Sequence, residues 1–257
     1  MAFRLLALIA FLCILSAGTC AQDAADPIQR QIDALAAMAR EMPPSEVLKR
    51  VDSLAALPEV AANPRWRMAL HGTRGAMLRF MRKHHEALAE HDRAYELADS
   101  LNDAEGRKNA QMAIAILHVD LGETDRARRE LQALYQRVRG APAEGDHRIP
   151  LVLGSLAAFS GRNDSAIYWY QRGFHMAEAV HDSTWMGNML CNIGMAHNMM
   201  GHREDSERAL RRTLTLIPAG GYPPLEARVN AYLGELLLDQ GRPEEVAAHL
   251  DRAEAIA

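Results

Sequence analysis

The chain is 257 residues long, 49% hydrophobic yet only 5% aromatic, and carries 29 basic against 33 acidic residues for a formal charge of −4. A composition rich in Ala and Leu with few rings suits helices that pack through small side chains. The charges alternate without a basic stripe, which argues against nucleic acid or an anionic membrane surface as the partner.

The N-terminus reads as an export leader. Met1 to Arg4 supplies a short positive region, Leu5 to Leu15 an apolar run, and Ser16 to Ala21 the small residues that precede polar Gln22-Asp23. The run is too short to span a bilayer, so residues 1–21 are expected to be a signal peptide cut after Ala21. Two alternatives stand beside cleavage: lipidation at Cys20, although Thr19 and Ala17 fit a lipobox poorly, and an uncleaved anchor. Cys13 and Cys20 leave with the leader, so Cys191 remains alone and no internal disulfide can form.

Residues 22–64 are expected to form a degenerate helical pair, Pro27 to Arg40 and Ser45 to Leu57, broken at Pro43-Pro44 and closed by Pro58 and Pro64. Such a pair can cap an array by turning a polar face to water.

From residue 65 to 257 the chain is repetitive. Arg82, Gly122, Gly161, Gly201 and Gly241 mark successive units at intervals of 40, 39, 40 and 40 residues. Seven residues before each stands Gly75, Ala115, Gly154, Gly194 or Gly234, and five after it Ala87, Ala127, Ala166, Ser206 or Val246. Residues nine after the origin are larger: His91, Leu131, Tyr170, Leu210 and Leu250. Each unit therefore reads as two amphipathic helices around a tight turn. In the fourth, Thr184 to Met200 carries Trp185, Met189, Ile193 and Ala196 inward. Gly201-His202 breaks it, Arg203 to Leu216 returns, and Pro218 with Gly220-Gly221 ends the unit. The turn glycine ends a helix in a left-handed residue, and the paired small residues are expected to let the two backbones cross closely. The last helix, Pro243 to Ala257, carries no polar cap, so the array is expected to continue beyond residue 257 or to receive another chain there, a second copy included.

No enzyme motif emerges. His85-Glu86 opens a zinc-protease pattern, but Ala89 occupies the second histidine position, and there is no Walker loop, dinucleotide fingerprint or nucleophile elbow. Glu244-Glu245 sit in the opening turn of a helix, where they favour its dipole. Met189, Cys191, Met195, His197, Met199, Met200 and His202 form a soft-ligand cluster suited to Cu(I), against which methionine is also ordinary core filling. Neither a catalytic residue, nor a metal ligand, nor a cofactor is assigned.

The small residue, the turn glycine seven later and the small residue five beyond it resemble the signature of the tetratricopeptide repeat (TPR), over residues 65 to 257 in about five units. The resemblance implies an all-α, right-handed superhelical solenoid of antiparallel helix pairs. Two features depart from it. The period is near 40 instead of 34, which is expected to lengthen the loops Ser100 to Glu105, Arg139 to Arg148 and Pro218 to Pro224. The usual aromatic four residues before the turn is replaced by Leu78, His118, Ala157, His197 and Leu237.

In a TPR the first helices line a concave groove, and the resemblance places Phe80, Asn109, Asp120, Arg148, Phe159, Asn188, Asn192, Met199, Arg228 and Tyr232 among its positions. Asn109, Arg148, Asn188, Asn192, Arg228 and Tyr232 are the expected peptide contacts, because asparagine both donates to and accepts from a peptide amide and arginine forks onto a carboxylate. Asn192 followed by Arg228 partly resembles the carboxylate clamp of chaperone-binding TPRs, whose other basic positions are absent. Long units of this kind resemble the TPR regions of bacterial signalling proteins. The implied function is a non-catalytic scaffold for a protein or extended peptide, exported, and the extracytoplasmic sensing region of a signalling protein. A free-standing periplasmic assembly factor and a copper-handling protein are the alternatives. Contact with the membrane would run only through the leader or a segment beyond residue 257.

Overall fold

The computed structural model describes residues 27–143, 145–217 and 222–256. The leader, Cys20 with its lipidation alternative, and the breakers Pro218 and Gly220-Gly221 lie outside the described residues. The described residues form thirteen helices and no strand, and no helix among them is long and apolar enough to cross a membrane. The boundary between two compact units falls between Leu117 and His118.

The first unit holds α1 (Pro27–Glu41), α2 (Pro44–Ala55), α3 (Pro58–Ala62), α4 (Pro64–Phe80), α5 (His84–Ser100) and most of α6 (Ala104–Asp120). The prolines open helices: Pro44, Pro58 and Pro64 each stand in a first turn, where the missing N–H would have no partner in any case. Pro58 and Pro64 were expected to close the N-terminal pair; instead they begin the unforeseen five-residue α3 and the long α4. Asn63 caps α4 by accepting from the Arg65 and Trp66 amides at 3.0 and 3.3 Å. Val47, Val51 and Leu54 recur at helical spacing on α2 and bury against Ile32, Leu35, Leu70 and Met77. Trp66 Nε1 donates to Gln29 Oε1 at 2.8 Å, which ties α4 to α1.

The second unit runs through α7 (Thr124–Val138), α8 (Arg148–Phe159), α9 (Asn163–Ala179), α10 (Ser183–Met199), α11 (Arg203–Leu216), α12 (Pro223–Asp239) and α13 (Pro243–Ile256). Consecutive helices pack on one another, and α10 also touches α12. Its interior includes a cluster around Ala166, Tyr170, Phe174, Met189 and Ile193 and another around Cys191, Leu210, Leu225, Val229 and Leu233.

The five repeat pairs turn in the same way. In the fourth, the His202 amide donates to His197 O at 3.0 Å and the Gly201 amide to Asn198 O at 2.9 Å, with Gly201 at φ +79°. This is a Schellman ending, in which one left-handed residue lets two late amides return to carbonyls that the helix leaves open. Lys83 to Leu78, Glu123 to His118, Arg162 to Ala157 and Arg242 to Leu237 repeat the outer bond at 2.8–3.0 Å.

Two expectations change. The longer period does not reside mainly in loops. Six helices, α4, α5, α6, α9, α10 and α12, have 17 residues. The connections after α5 and α9 are tight turns through left-handed Asn102 (φ +53°) and His181 (φ +56°). The Arg139 to His147 connection is long, and the expected Pro218 to Pro224 loop lies largely outside the described residues. The helix-crossing glycines also have a different partner. A Cβ on Gly75 would lie 2.6 Å from His91 Nε2, on Gly194 2.9 Å from Leu210 Cγ, on Gly234 2.9 Å from Leu250 Cδ2, and on Gly154 it would overlap the Tyr170 ring. The missing side chain thus receives the large residue nine beyond the turn, a knob in a hole, more than it admits a second small residue.

Candidate peptide-binding face

The first helices of adjacent pairs, α10 and α12, bring four of the six expected contacts into one region of the second unit. Asn188 is buried at 9% exposure, and its Nδ2 donates to Thr184 O at 3.0 Å. Its Oδ1 accepts from Arg228 NH2 at 2.8 Å, across 40 residues of sequence. One repeat length therefore separates the two partners of this bond, which is the spacing that stacks equivalent positions of neighbouring units. Asn192 lies one turn further along α10, half-buried, and Tyr232 one turn beyond Arg228 on α12, also half-buried.

Both polar atoms of the buried Asn188 amide are engaged, so the side chain acts as a strut. It fixes a guanidinium that keeps more donors than it uses; Arg228 Nε is itself buried with no acceptor. A buried, unsatisfied donor of this kind costs about 1–3 kcal/mol until something accepts from it. The Arg228 partner is Asn188, not the Asn192 that the clamp resemblance pairs with it.

Cys191 joins this cluster. Burial pushes its thiol above the ordinary range, and the nearby Arg228 opposes that without reversing it. Cys191 is therefore a neutral, buried thiol, a poor nucleophile and a poor ligand. Burial likewise raises Tyr232, with the Glu235 charge adding and Arg228 subtracting, so its hydroxyl remains a donor. Asn109 stands exposed on α6 of the first unit and donates to Glu105 Oε1 at 3.3 Å. Arg148 is exposed at the start of α8.

Large apolar side chains stand exposed near the ends of first helices: Phe159 at 89%, Met199 at 65% and Leu238 at 60% in the second unit, with Phe80 at 65% in the first. Phe80, Phe159 and Met199 occupy expected groove positions; Leu238 is one residue off that series. The exposure of Leu238 was not legible, because an apolar residue ending a helix reads equally as core.

The soft-ligand cluster does not assemble around its sulfur atoms. Met189 belongs to the core around Tyr170 and Phe174, Cys191 to the core around Leu210 and Leu225, and Met199 faces outward. Met189 and Cys191 thus fall in two packing layers, apart from the exposed Met199.

A family profile described as the tetratricopeptide repeat matches residues 112–175 and 194–257. The chain is a TPR protein. No curated protein matches it in sequence. Among solved structures, the TPR protein is similar to BtubC (BKLC) from P. vanneervenii at 15% identity and a TM-score of 0.66, covering 90% of this chain and 91% of that one. It also resembles a Rap protein complexed with competence and sporulation factor, at 9% identity and a TM-score of 0.68, over 95% and 69% of the two chains. Aspartyl phosphate phosphatase F from Bacillus subtilis matches at 13% identity and a TM-score of 0.65, over 96% and 68%. At these identities the likeness is one of fold.

Proposed function

We propose that this TPR protein is a non-catalytic scaffold that holds a protein or extended peptide against its first helices, anchored at Arg228. The observation that carries the reading is the guanidinium braced at 2.8 Å by a buried asparagine, with Nε left without an acceptor. An arginine held this way loses little side-chain freedom on binding and offers a directed fork to a carboxylate or a peptide carbonyl. Asn192 and Tyr232 add polar contacts beside it, and Met199 and Leu238 offer apolar ones. The similar Rap protein is itself solved in complex with competence and sporulation factor, which supports a ligand-holding role for the fold.

The finer proposal is that the chain is an exported sensing region of a bacterial signalling protein. It rests on the leader pattern at residues 1–21 and on the long repeat unit. Fusion of alkaline phosphatase after residue 257 tests export: activity that depends on residues 1–21 supports it, and an inactive fusion overturns it.

The scaffold itself is tested with a phage-displayed peptide library selected on the purified chain. Peptides bearing an acidic residue are expected to be enriched, and Arg228→Glu is expected to abolish their binding while the helical circular dichroism stays unchanged. Binding that survives the charge reversal, or a selection that enriches nothing, counts against the reading.

A further inference from the structure

The turn of the fourth helix pair places three metal-ligand side chains together, for reasons that lie in how helices end. A Schellman turn sets the residue after the left-handed position beside the one five residues earlier, a pair that is commonly apolar. The same later residue begins the next helix as its N-cap, and a capping arrangement sets the third helical residue facing that cap. The turn inside each of the five repeat pairs therefore offers three such positions. They are Leu78, Lys83 and Glu86 in the first unit. In the second they are His118, Glu123 and Arg126, then Ala157, Arg162 and Ser165, then His197, His202 and Asp205, then Leu237, Arg242 and Glu245.

In three of these turns the last two residues are an ion pair: Lys83 with Glu86 at 3.1 Å, Glu123 with Arg126 at 3.1 Å, and Arg242 with Glu245 at 2.6 Å. The fourth turn differs. His197 and His202 stand with ring centroids 5.9 Å apart. One nitrogen of each ring and a carboxylate oxygen of Asp205 lie within 4.8 Å of one another. His197 Nδ1 is buried with no hydrogen-bond partner. Asp205 is paired with Arg208, but that contact is between exposed groups and is worth little.

We propose that His197, His202 and Asp205 form a binding site for a divalent first-row transition ion of the Zn2+ class. Two neutral imidazoles and a carboxylate are borderline ligands suited to Zn2+, Ni2+ or Co2+, in contrast to the thiolate and thioether set that Cu(I) selects. Tetrahedral Zn2+ with bonds of about 2.0–2.1 Å requires ligand atoms roughly 3.4 Å apart. Rotation about the exposed His202 and Asp205 side chains supplies the contraction from 4.8 Å. The His197–His202 backbone bond holds the two ring-bearing residues in register before any metal arrives. Three protein ligands leave a fourth position for water or for a side chain of a bound partner. The ion would clip α10 to the start of α11. The site is independent of the peptide-binding reading.

The test uses the full chain, free of affinity histidines and stripped with chelator, titrated with Zn2+ by calorimetry. One equivalent is expected to bind and to raise the melting temperature, and Co2+ is expected to give the visible bands of a tetrahedral nitrogen and oxygen site. Asp205→Asn and His202→Asn, the latter a good N-cap that preserves the turn, are each expected to weaken binding by about tenfold or more and to remove the thermal shift. His175→Ala, at an exposed histidine elsewhere, is expected to change nothing. Absence of Zn2+ binding by the unmutated chain, or equal binding by all the variants, overturns the site.

Discussion

The two units use one packing device with different chemistry. In the second unit the space above a helix glycine is filled by Tyr170, Leu210 or Leu250; in the first, the knob on Gly75 is His91. The first unit also makes its repeat turn with Arg82 at φ +60°, where the second uses Gly122, Gly161, Gly201 and Gly241. Beside His91, buried Glu90 accepts from Arg93 at 2.6 Å and pairs with His71 at 2.6 Å. At the four equivalent positions of the second unit, Trp169 and Ala209 carry no charge while Glu130 and His249 are ionisable. Position in the repeat thus dictates a volume to be filled and a backbone angle to be adopted, while the filler is free to be apolar or ionisable. Where it is ionisable, the unit acquires a dependence on pH that its apolar counterparts lack.

The largest effect should appear when the first unit is acidified. Burial holds His91 down to about 4 from 6.5, with the Arg79 charge adding and Glu90 opposing. Between those pH values the unfolded histidine takes up a proton that the folded one refuses, so stability falls as pH drops from 6.5 towards 4, by about 3 kcal/mol. Hydrogen exchange of first-unit amides measures this, and His91→Leu, which installs the Leu210-type knob, should remove that part of the slope. An unchanged slope in the variant would mean that the difference between the knobs is not electrostatic.

Next in size is overpacking. Gly154→Val should destabilise the second unit by about 1–3 kcal/mol, because the added carbons meet the Tyr170 ring and the α8–α9 crossing must open. The outcome is read as a lower urea midpoint; no change would show that the ring can move aside. The turns should follow in magnitude: Arg82→Gly is expected to stabilise the first unit by about 1 kcal/mol and Gly161→Arg to cost the second a similar amount, since a side chain in the left-handed region carries a steric penalty. Thermal melts of the two variants should shift in opposite directions.

The smallest effect belongs to the charge network that joins α11 to α13, where Glu207 accepts from Arg211 and Arg242 at 2.9 Å each. Burial works against the Glu207 carboxylate, but the two arginines win and hold it below the ordinary range. Its contribution is therefore present above the usual carboxylate pKa and is lost as pH falls below it. Glu207→Gln should cost a few tenths to about 1 kcal/mol at neutral pH. The difference should shrink in high salt, as judged by melts at two ionic strengths.

Much of the architecture was legible because it follows from local rules. The apolar spacing of Met189, Ile193 and Ala196 called for a helix; the observed α10 spans Ser183–Met199 against an expected Thr184 to Met200, and α11 coincides at Arg203–Leu216. The left-handed turns at Asn102 and His181 went unread because Asn and His, unlike Gly, carry no strong sign of that conformation. The short α3 escaped for a related reason: a proline reads equally as the end of one helix and the first turn of the next. The candidate binding residues were legible only by analogy with the repeat. Asn188 and Arg228 were found as separate groove positions, yet nothing in their spacing shows that one braces the other.

Sequence alone determined the helices, their turns and the rhythm that sets equivalent residues one repeat apart, since backbone hydrogen bonding, helix ends and amphipathic spacing are local physics. Tertiary structure alone decided which side chain fills each glycine, that the Met/Cys/His run splits between two cores while two histidines and Asp205 converge, and that Arg228 is held with a donor to spare. Those outcomes depend on which face of a helix meets its neighbour, to within one residue of rotation. A repeat of about 40 residues specifies the stacking of positions, but the last few ångströms that make a contact are settled by packing.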